Sequence, residues 1–462
     1  MTVKQIYTSC ISQGAYFIES KGESAVIDPL REISVFLDLE KETDSKIKYI
    51  FETHFHADFV SGHLTLSKIT GAPIVFGPGA KTNYESISAS DNQVFKIGDI
   101  SLTVLHTPGH TLESTSYLLK DSEGNEKCIF TGDTLFLGDV GIPDVAQRYQ
   151  GVSKQELAGI LYDSVNKKIK PLDENILIYP GHGAGSACGK NMMKETVDTL
   201  KNQKKVNYAL NGSFTRSSFI EELTHNLPDP PEYFPSNVKL NQNGYLDFDL
   251  VLEKSMQSLS LDKFLSLSKK ENTVVLDTRN HEAFSKSHIP KSIFIGLNGQ
   301  FAPWAGSILK NINLKILLVC KVGTETETIM RLSRVGFDNI LGFLKNGFDT
   351  WKNSSKKTQK IECISAVELK QNFSQNINFI DVRSEFEFNN GHIENSINIP
   401  LNILQKNLDI LNKTKLYYVY CAGGYRSMIA SSILKKYGYD SIININGGMS
   451  ELKKNNFKLL KK

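Results

Sequence analysis

Apolar positions in the first 180 or so residues come in short runs, each closed by a polar turn. Residues 14–18, 24–28, 47–51, 73–76, 100–105, 127–130 and 175–179 are too short for helices. They are rich in β-branched and aromatic side chains, and so predict strands. Between and after them, helix is predicted over 33–41, 62–70, 192–210 and 217–226. Residues 227–235 hold four prolines, at 228, 230, 231 and 235, which predicts a linker or strap and a domain boundary shortly after it.

What closes the strands carries the chemistry. The run at 47–51 leads into Thr53-His54-Phe55-His56-Ala57-Asp58-Phe59 and that at 100–105 into His106-Thr107-Pro108-Gly109-His110. The run at 127–130 ends in Thr131-Gly132-Asp133 and that at 175–179 in Pro180-Gly181-His182-Gly183. Open α/β sheets collect ligands at the carboxyl ends of their strands. Four such endings therefore predict one rim bearing imidazoles and carboxylates, a donor set that suits iron or zinc. Cys188 follows His182 by six positions in a loop of small residues.

The second half repeats itself. Asp277-Thr-Arg279 matches Asp381-Val-Arg383, His288-Ile289 matches His392-Ile393, and Cys320 matches Cys421, each after an apolar strand. The period is one small domain, and strands alternate with helices, predicting two parallel-sheet α/β units. The second copy carries Cys421-Ala422-Gly423-Gly424-Tyr425-Arg426-Ser427 before a predicted helix at 427–437. A cysteine at a helix N-terminus beside an arginine is nucleophilic. The first copy has Glu325 where Arg426 stands, and a carboxylate there raises a thiol's pKa and repels anions. Cys320 is therefore expected to be silent.

Composition narrows the partners. The 462 residues carry 53 Lys and Arg against 50 Asp and Glu, a net charge of +3 without clustering, which argues against nucleic acid. No apolar run approaches a membrane span, and six dispersed cysteines do not form a disulfide framework, so a reducing cytoplasm is expected.

The order of the first four motifs resembles the metallo-β-lactamase superfamily, which implies an αβ/βα sandwich over residues 1–240. Dinuclear hydrolases of that superfamily, glyoxalase II among them, carry a histidine after the motif's aspartate. Here that residue is Phe59. The departure resembles the persulfide dioxygenase branch, and the resemblance implies one Fe(II) per chain, held by His54, His110 and Asp133. His56, Asp58 and His182 would then orient ligands or line the pocket, and Cys188 would join them. Residues 245–355 and 356–462 resemble rhodanese domains, the first inactive. In the second, Cys421 would carry sulfur, with Arg426 and the loop residues Ala422, Gly423, Gly424, Tyr425 and Ser427 cradling the persulfide anion. The resemblance implies a homo-oligomer that takes a low-molecular-weight thiol persulfide, dioxygen and sulfite, and detoxifies sulfide. Gly141-Ile142-Pro143-Asp144 departs from the pattern of many glutathione-using relatives, so the thiol carrier stays open. The alternatives are a zinc thioesterase of the glyoxalase II type with sulfurtransferase modules, and a sulfur-trafficking scaffold with a dead metal site.

Overall fold

Alternation of inward and outward side chains builds the first half of the chain. In the strand Ile100–His106, Leu102 and Val104 enter one core while Leu105 enters another; in Thr115–Lys120, Tyr117 and Leu119 oppose Leu118 in the same way. A computed structural model describes residues 1–143, 151–225, 227, 229–372 and 377–461. Asp144, Asn226 and Pro228, which the sequence reading drew on, lie outside the described residues. The chain divides into two units, Met1–Val251 with Leu332–Gly336, and Leu252–Arg331 with Phe337–Lys462.

The first unit holds two six-stranded sheets. One runs β1 (Thr2–Thr8), β2 (Gln13–Ser20), β3 (Glu23–Ile27), β4 (Lys46–Phe51), β5 (Ile74–Phe76), β6 (Ile87–Ser88) in spatial order. The other runs β12 (Asp198–Thr199), β11 (Leu177–Pro180), β10 (Glu126–Gly132), β9 (Thr115–Lys120), β8 (Ile100–His106), β7 (Val94–Ile97). Their inner faces share one core, in which Tyr16, Ile27 and Phe51 of the first sheet meet Leu102, Tyr117 and Phe130 of the second. The outer face of the second sheet packs Ile129 and Ile178 against Leu161 and Phe219 of the helices Lys154–Ser164 and Arg216–Thr224. The result is the αβ/βα sandwich expected, and it brings the carboxyl ends of β3, β4, β8, β10 and β11 to one rim.

Two expectations change. The helix predicted over 192–210 is confined to Leu200–Val206, because Asp198 and Thr199 pair with Ile178 and Leu177 as an edge strand. The Thr199 hydroxyl then caps the helix by accepting from the Asn202 amide. The proline-rich strap at 227–235 holds no helix or strand among its described residues before Phe234. A helix, Phe234–Asn243, begins inside it with Pro235 in the first turn, where the missing N–H costs nothing.

The second unit holds two five-stranded parallel sheets of the same order. The first is β13 (Ser258–Leu259), β17 (Ile340–Leu344), β16 (Lys315–Val319), β14 (Thr273–Asp277), β15 (Ile293–Phe294). The second is β18 (Glu362–Ile364), β23 (Ile442–Ile445), β22 (Tyr417–Tyr420), β19 (Asn378–Asp381), β21 (Ser396–Asn398). Equal strand order makes the sequence repeat a repeat of fold. Among the described residues no helix is long and apolar enough to cross a membrane.

Candidate metal centre and sulfur-carrier loop

His54, His110 and Asp133 leave the ends of three different strands and place one ligand atom each within 4.8 Å of one another. Asp133 Oδ2 lies 3.8 Å from His54 Nε2 and 3.5 Å from His110 Nε2. Hydrogen bonding sets both tautomers. His110 Nδ1 is 2.7 Å from the Ile142 carbonyl, which can only accept, so the proton sits on Nδ1. His54 Nδ1 is 2.9 Å from Thr53 Oγ1, whose own hydrogen goes to Asp28 Oδ2 at 2.9 Å. Each ring thus engages Nδ1 in a hydrogen bond and turns Nε2 inward, the arrangement typical of ligating histidines. Burial, reinforced by His56, His110 and His182, pushes the His54 pKa well below the ordinary imidazole value and keeps the ring neutral.

The three residues fit a divalent cation. Both Asp133 carboxylate oxygens are buried without a hydrogen-bond partner, and an uncompensated buried carboxylate costs several kcal/mol. A Cβ at Gly181 would lie 2.5 Å from Asp133 Oδ1, so only glycine leaves this carboxylate room.

His56 is engaged elsewhere. Its Nε2 lies 3.1 Å from Asp28 Oδ1 and 3.2 Å from Glu52 Oε2, beside the three-atom set rather than within it. Burial opposes a charge on this ring, yet Asp28 and Glu52 carry its pKa well above the ordinary value. Phe59, fully buried, packs against His56. Asn241 locks the loop, donating from Nδ2 to the carbonyls of His56 (2.8 Å) and Phe59 (2.9 Å) and accepting from the Ser61 amide at 3.0 Å.

Asp58, His182 and Cys188 form a separate buried set, again with ligand atoms within 4.8 Å. His182 Nε2 is 3.4 Å from Asp58 Oδ2 and 3.6 Å from Asp133 Oδ1. Burial, with Asp133 and Asp58 adding, pushes the Cys188 thiol well above its ordinary range. His106 turns away from both sets, its Nε2 facing the Leu112 carbonyl at 2.9 Å.

Sequence reading missed Asp28, Glu52 and Asn241. Asp28 ends a strand and so carried the same signal as the other four turns. Glu52 was hidden by its neighbour His54. Asn241 lies in a polar helix and carried no signal.

In the second unit, Cys421 follows β22 and precedes the helix Tyr425–Lys436. Gly424 adopts φ +99, a left-handed conformation natural to glycine, and its amide donates to Cys421 Sγ at 3.1 Å. Ser427 Oγ donates to the Gly424 carbonyl at 3.1 Å, and the Tyr425 hydroxyl to the Gly296 carbonyl at 2.6 Å. Arg426 does not stand free: its guanidinium grips Glu387 bidentately, at 2.7 Å for both bonds. Beside the loop, Arg383, Phe386, Glu387, Ala422, Ser450 and Lys453 line an open cavity of about 280 Å³. In the first repeat the amide equivalent to that of Gly424, on Gly323, donates instead to Glu325 Oε2 at 2.8 Å. Burial, with Glu325 adding, pushes Cys320 up to about 11.

Comparison with known proteins agrees with the architecture. Residues 11–182 match the metallo-beta-lactamase superfamily, and residues 260–354 and 365–455 each match the rhodanese-like domain. A crystal structure of a metallo-beta-lactamase from Staphylococcus aureus subsp. aureus COL superposes with a TM-score of 0.65 and 30% identity, covering 75% of this chain and 98% of that one. This chain belongs to the metallo-beta-lactamase superfamily and carries two rhodanese-like domains after the superfamily fold. Curated relatives include a hydroxyacylglutathione hydrolase of Schizosaccharomyces pombe, named as probable, at 28% identity over 43% of this chain and 75% of that one. The mitochondrial hydroxyacylglutathione hydrolase of Saccharomyces cerevisiae is 32% identical over 36% of this chain; the match spans 58% of that protein's length.

Proposed function

We propose that the chain oxidises the terminal sulfur of a low-molecular-weight thiol persulfide at iron(II) held by His54, His110 and Asp133, and passes a second sulfane sulfur through Cys421 to sulfite. One observation carries the reading: a three-residue set of two imidazoles and one carboxylate, with Phe59 standing where a dinuclear hydrolase needs a further histidine. Bound by these three residues, iron(II) would supply the redox chemistry of non-heme oxygenases. The chain's residues do the rest. Thr53 and Ile142 hold the protons of His54 and His110 on Nδ1, and Phe59 walls the pocket with an apolar ring. Overall, one persulfide, one dioxygen and one water give thiol, sulfite and two protons.

At the second site, the Cys421 thiolate attacks the outer sulfur of another persulfide, whose S–S bond breaks to release the thiol. The Gly424 amide, already on Sγ, supports the charge on the sulfur it carries. Sulfite then attacks the outer sulfur of the Cys421 persulfide, giving thiosulfate and regenerating the thiolate. Carrying both sites on one polypeptide raises the effective concentration of sulfite near Cys421. A Cys421→Ser variant should keep oxygen uptake and release sulfite in place of thiosulfate; an unchanged product ratio removes Cys421 from the scheme.

A second reading has a specific observation behind it, since the two curated relatives compared above are named as hydroxyacylglutathione hydrolases. In that reading the same three residues hold zinc(II) and the substrate is a thioester, cleaved by water without dioxygen.

A further inference from the structure

We propose that Tyr425 is a positioning residue for Cys421: by bonding the first rhodanese-like repeat, it fixes the loop that aims the Gly424 amide at the Cys421 sulfur. The proposal rests on the reading of Cys421 as a sulfur carrier, and it gives the silent repeat a task. The Tyr425 side chain leaves its own repeat. Its hydroxyl donates to the Gly296 carbonyl at 2.6 Å, and its ring meets Phe294 edge-on at a centroid distance of 6.4 Å. Burial pushes the phenol well above its ordinary value, only partly offset by Arg331, so the hydroxyl stays a donor.

Gly296 is itself held. Just past β15, the Ile295 amide donates to the Asp277 carbonyl at 3.0 Å and the Leu297 amide to the Thr278 carbonyl at 3.1 Å. The Leu297 carbonyl accepts from Arg331 Nη1 at 2.8 Å, on the helix that follows the silent loop. Two turns beyond Tyr425 on the same face of its helix, Ser432 Oγ accepts from the Phe294 amide at 3.0 Å. The helix is thus tied twice to one segment, and of the two ties only Tyr425 adjoins the loop. Its neighbour Gly424, at φ +99, donates to Cys421 Sγ at 3.1 Å. A glycine has no side chain to hold such a conformation, so its aim depends on its neighbours. In the silent repeat the equivalent of Tyr425 is Thr324, whose hydroxyl closes on its own loop at the Lys321 carbonyl, 2.7 Å away. There the Gly323 amide turns to Glu325. Anchor and amide therefore change together between the two repeats.

The test assays sulfur transfer by the full-length chain with thiosulfate as donor and cyanide as acceptor. The Cys421 thiolate takes the outer sulfur as sulfite leaves, and cyanide carries that sulfur off as thiocyanate. Tyr425→Phe should lower kcat by about 10-fold, the worth of one well-placed hydrogen bond, with the KM for thiosulfate unchanged. Alkylation of Cys421 by iodoacetamide, followed by peptide mass spectrometry, should slow in the same variant. Ser432→Ala, which cuts the other tie, should leave both rates as they are. Wild-type rates in Tyr425→Phe, a loss confined to KM, or equal losses in Ser432→Ala overturn the proposal. A wild type without sulfur transfer would instead refute Cys421 as a carrier, and the alkylation rate of Tyr425→Phe against wild type would still decide the anchor.

Discussion

The ring of Phe59 packs 4.3 Å from the imidazole of His56. At this position dinuclear hydrolases of the superfamily carry a metal-binding histidine, and here the side chain is an apolar wall instead. His56 in turn is drawn by its Nε2 to Asp28 and Glu52. The simplest complete metal set that remains is His54, His110 and Asp133, which is why the proposed chemistry centres on it.

Thr53 is the test of how that set is held. Its hydroxyl accepts from His54 Nδ1 and donates to Asp28 Oδ2, so Thr53→Val removes the partner that orients the ring. Iron affinity should fall by about 10- to 100-fold, the usual cost of losing such a partner. Competitive chelator titration measures it, and sulfur transfer through Cys421 should be unchanged in the same preparation.

The two rhodanese-like loops differ in who receives one backbone amide. Gly424 donates to the Cys421 sulfur, whereas Gly323 donates to the Glu325 carboxylate. Because burial and Glu325 push Cys320 up to about 11, its alkylation rate should keep rising as pH climbs toward that value. Glu325→Arg should lower that pKa and speed Cys320 alkylation at neutral pH, as followed by peptide mass spectrometry. An unchanged rate profile would show that burial alone silences this thiol.

Glu387 supplies a pH signature. Burial pushes its carboxyl up, but Arg426 overcomes this and holds it at about 2, against an ordinary value of 4.5. A carboxylate depressed on folding contributes stability above its unfolded pKa and loses that contribution as pH falls through the folded one. The stability advantage of wild type over Glu387→Gln should thus be full above pH 4.5 and vanish toward pH 2, as read by denaturant unfolding across that range.

Much of this was legible in the residues. The four strand endings lie together because strands of one sandwich expose their carboxyl ends on one rim, whereas β9 (Thr115–Lys120) went unread although it lies between β8 and β10. The rhodanese repeat was visible because Asp-x-Arg is a local device: Arg383 bonds Asp381 two residues away and the Gly391 carbonyl, as Arg279 bonds Asp277 and the Ser287 carbonyl. What the sequence hid was long-range. Asn241 reaches back some 180 residues to clamp the His56–Phe59 turn, and nothing in its own helix advertises that. Arg426 read as a free anion binder because its partner Glu387 lies on a separate helix, Glu385–Asn389. The predicted helix over 192–210 failed for a related reason, since pairing of Asp198–Thr199 with β11 outweighed local helical propensity.

The central claim rests on what the protein does with oxygen. Chain purified anaerobically and loaded with iron(II) should consume one dioxygen per thiol persulfide oxidised. His110→Ala should abolish both iron binding and oxygen uptake, while a zinc-loaded sample consumes none. Thioester hydrolysis by the zinc form, with no iron-dependent oxygen uptake from persulfide, would contradict the account.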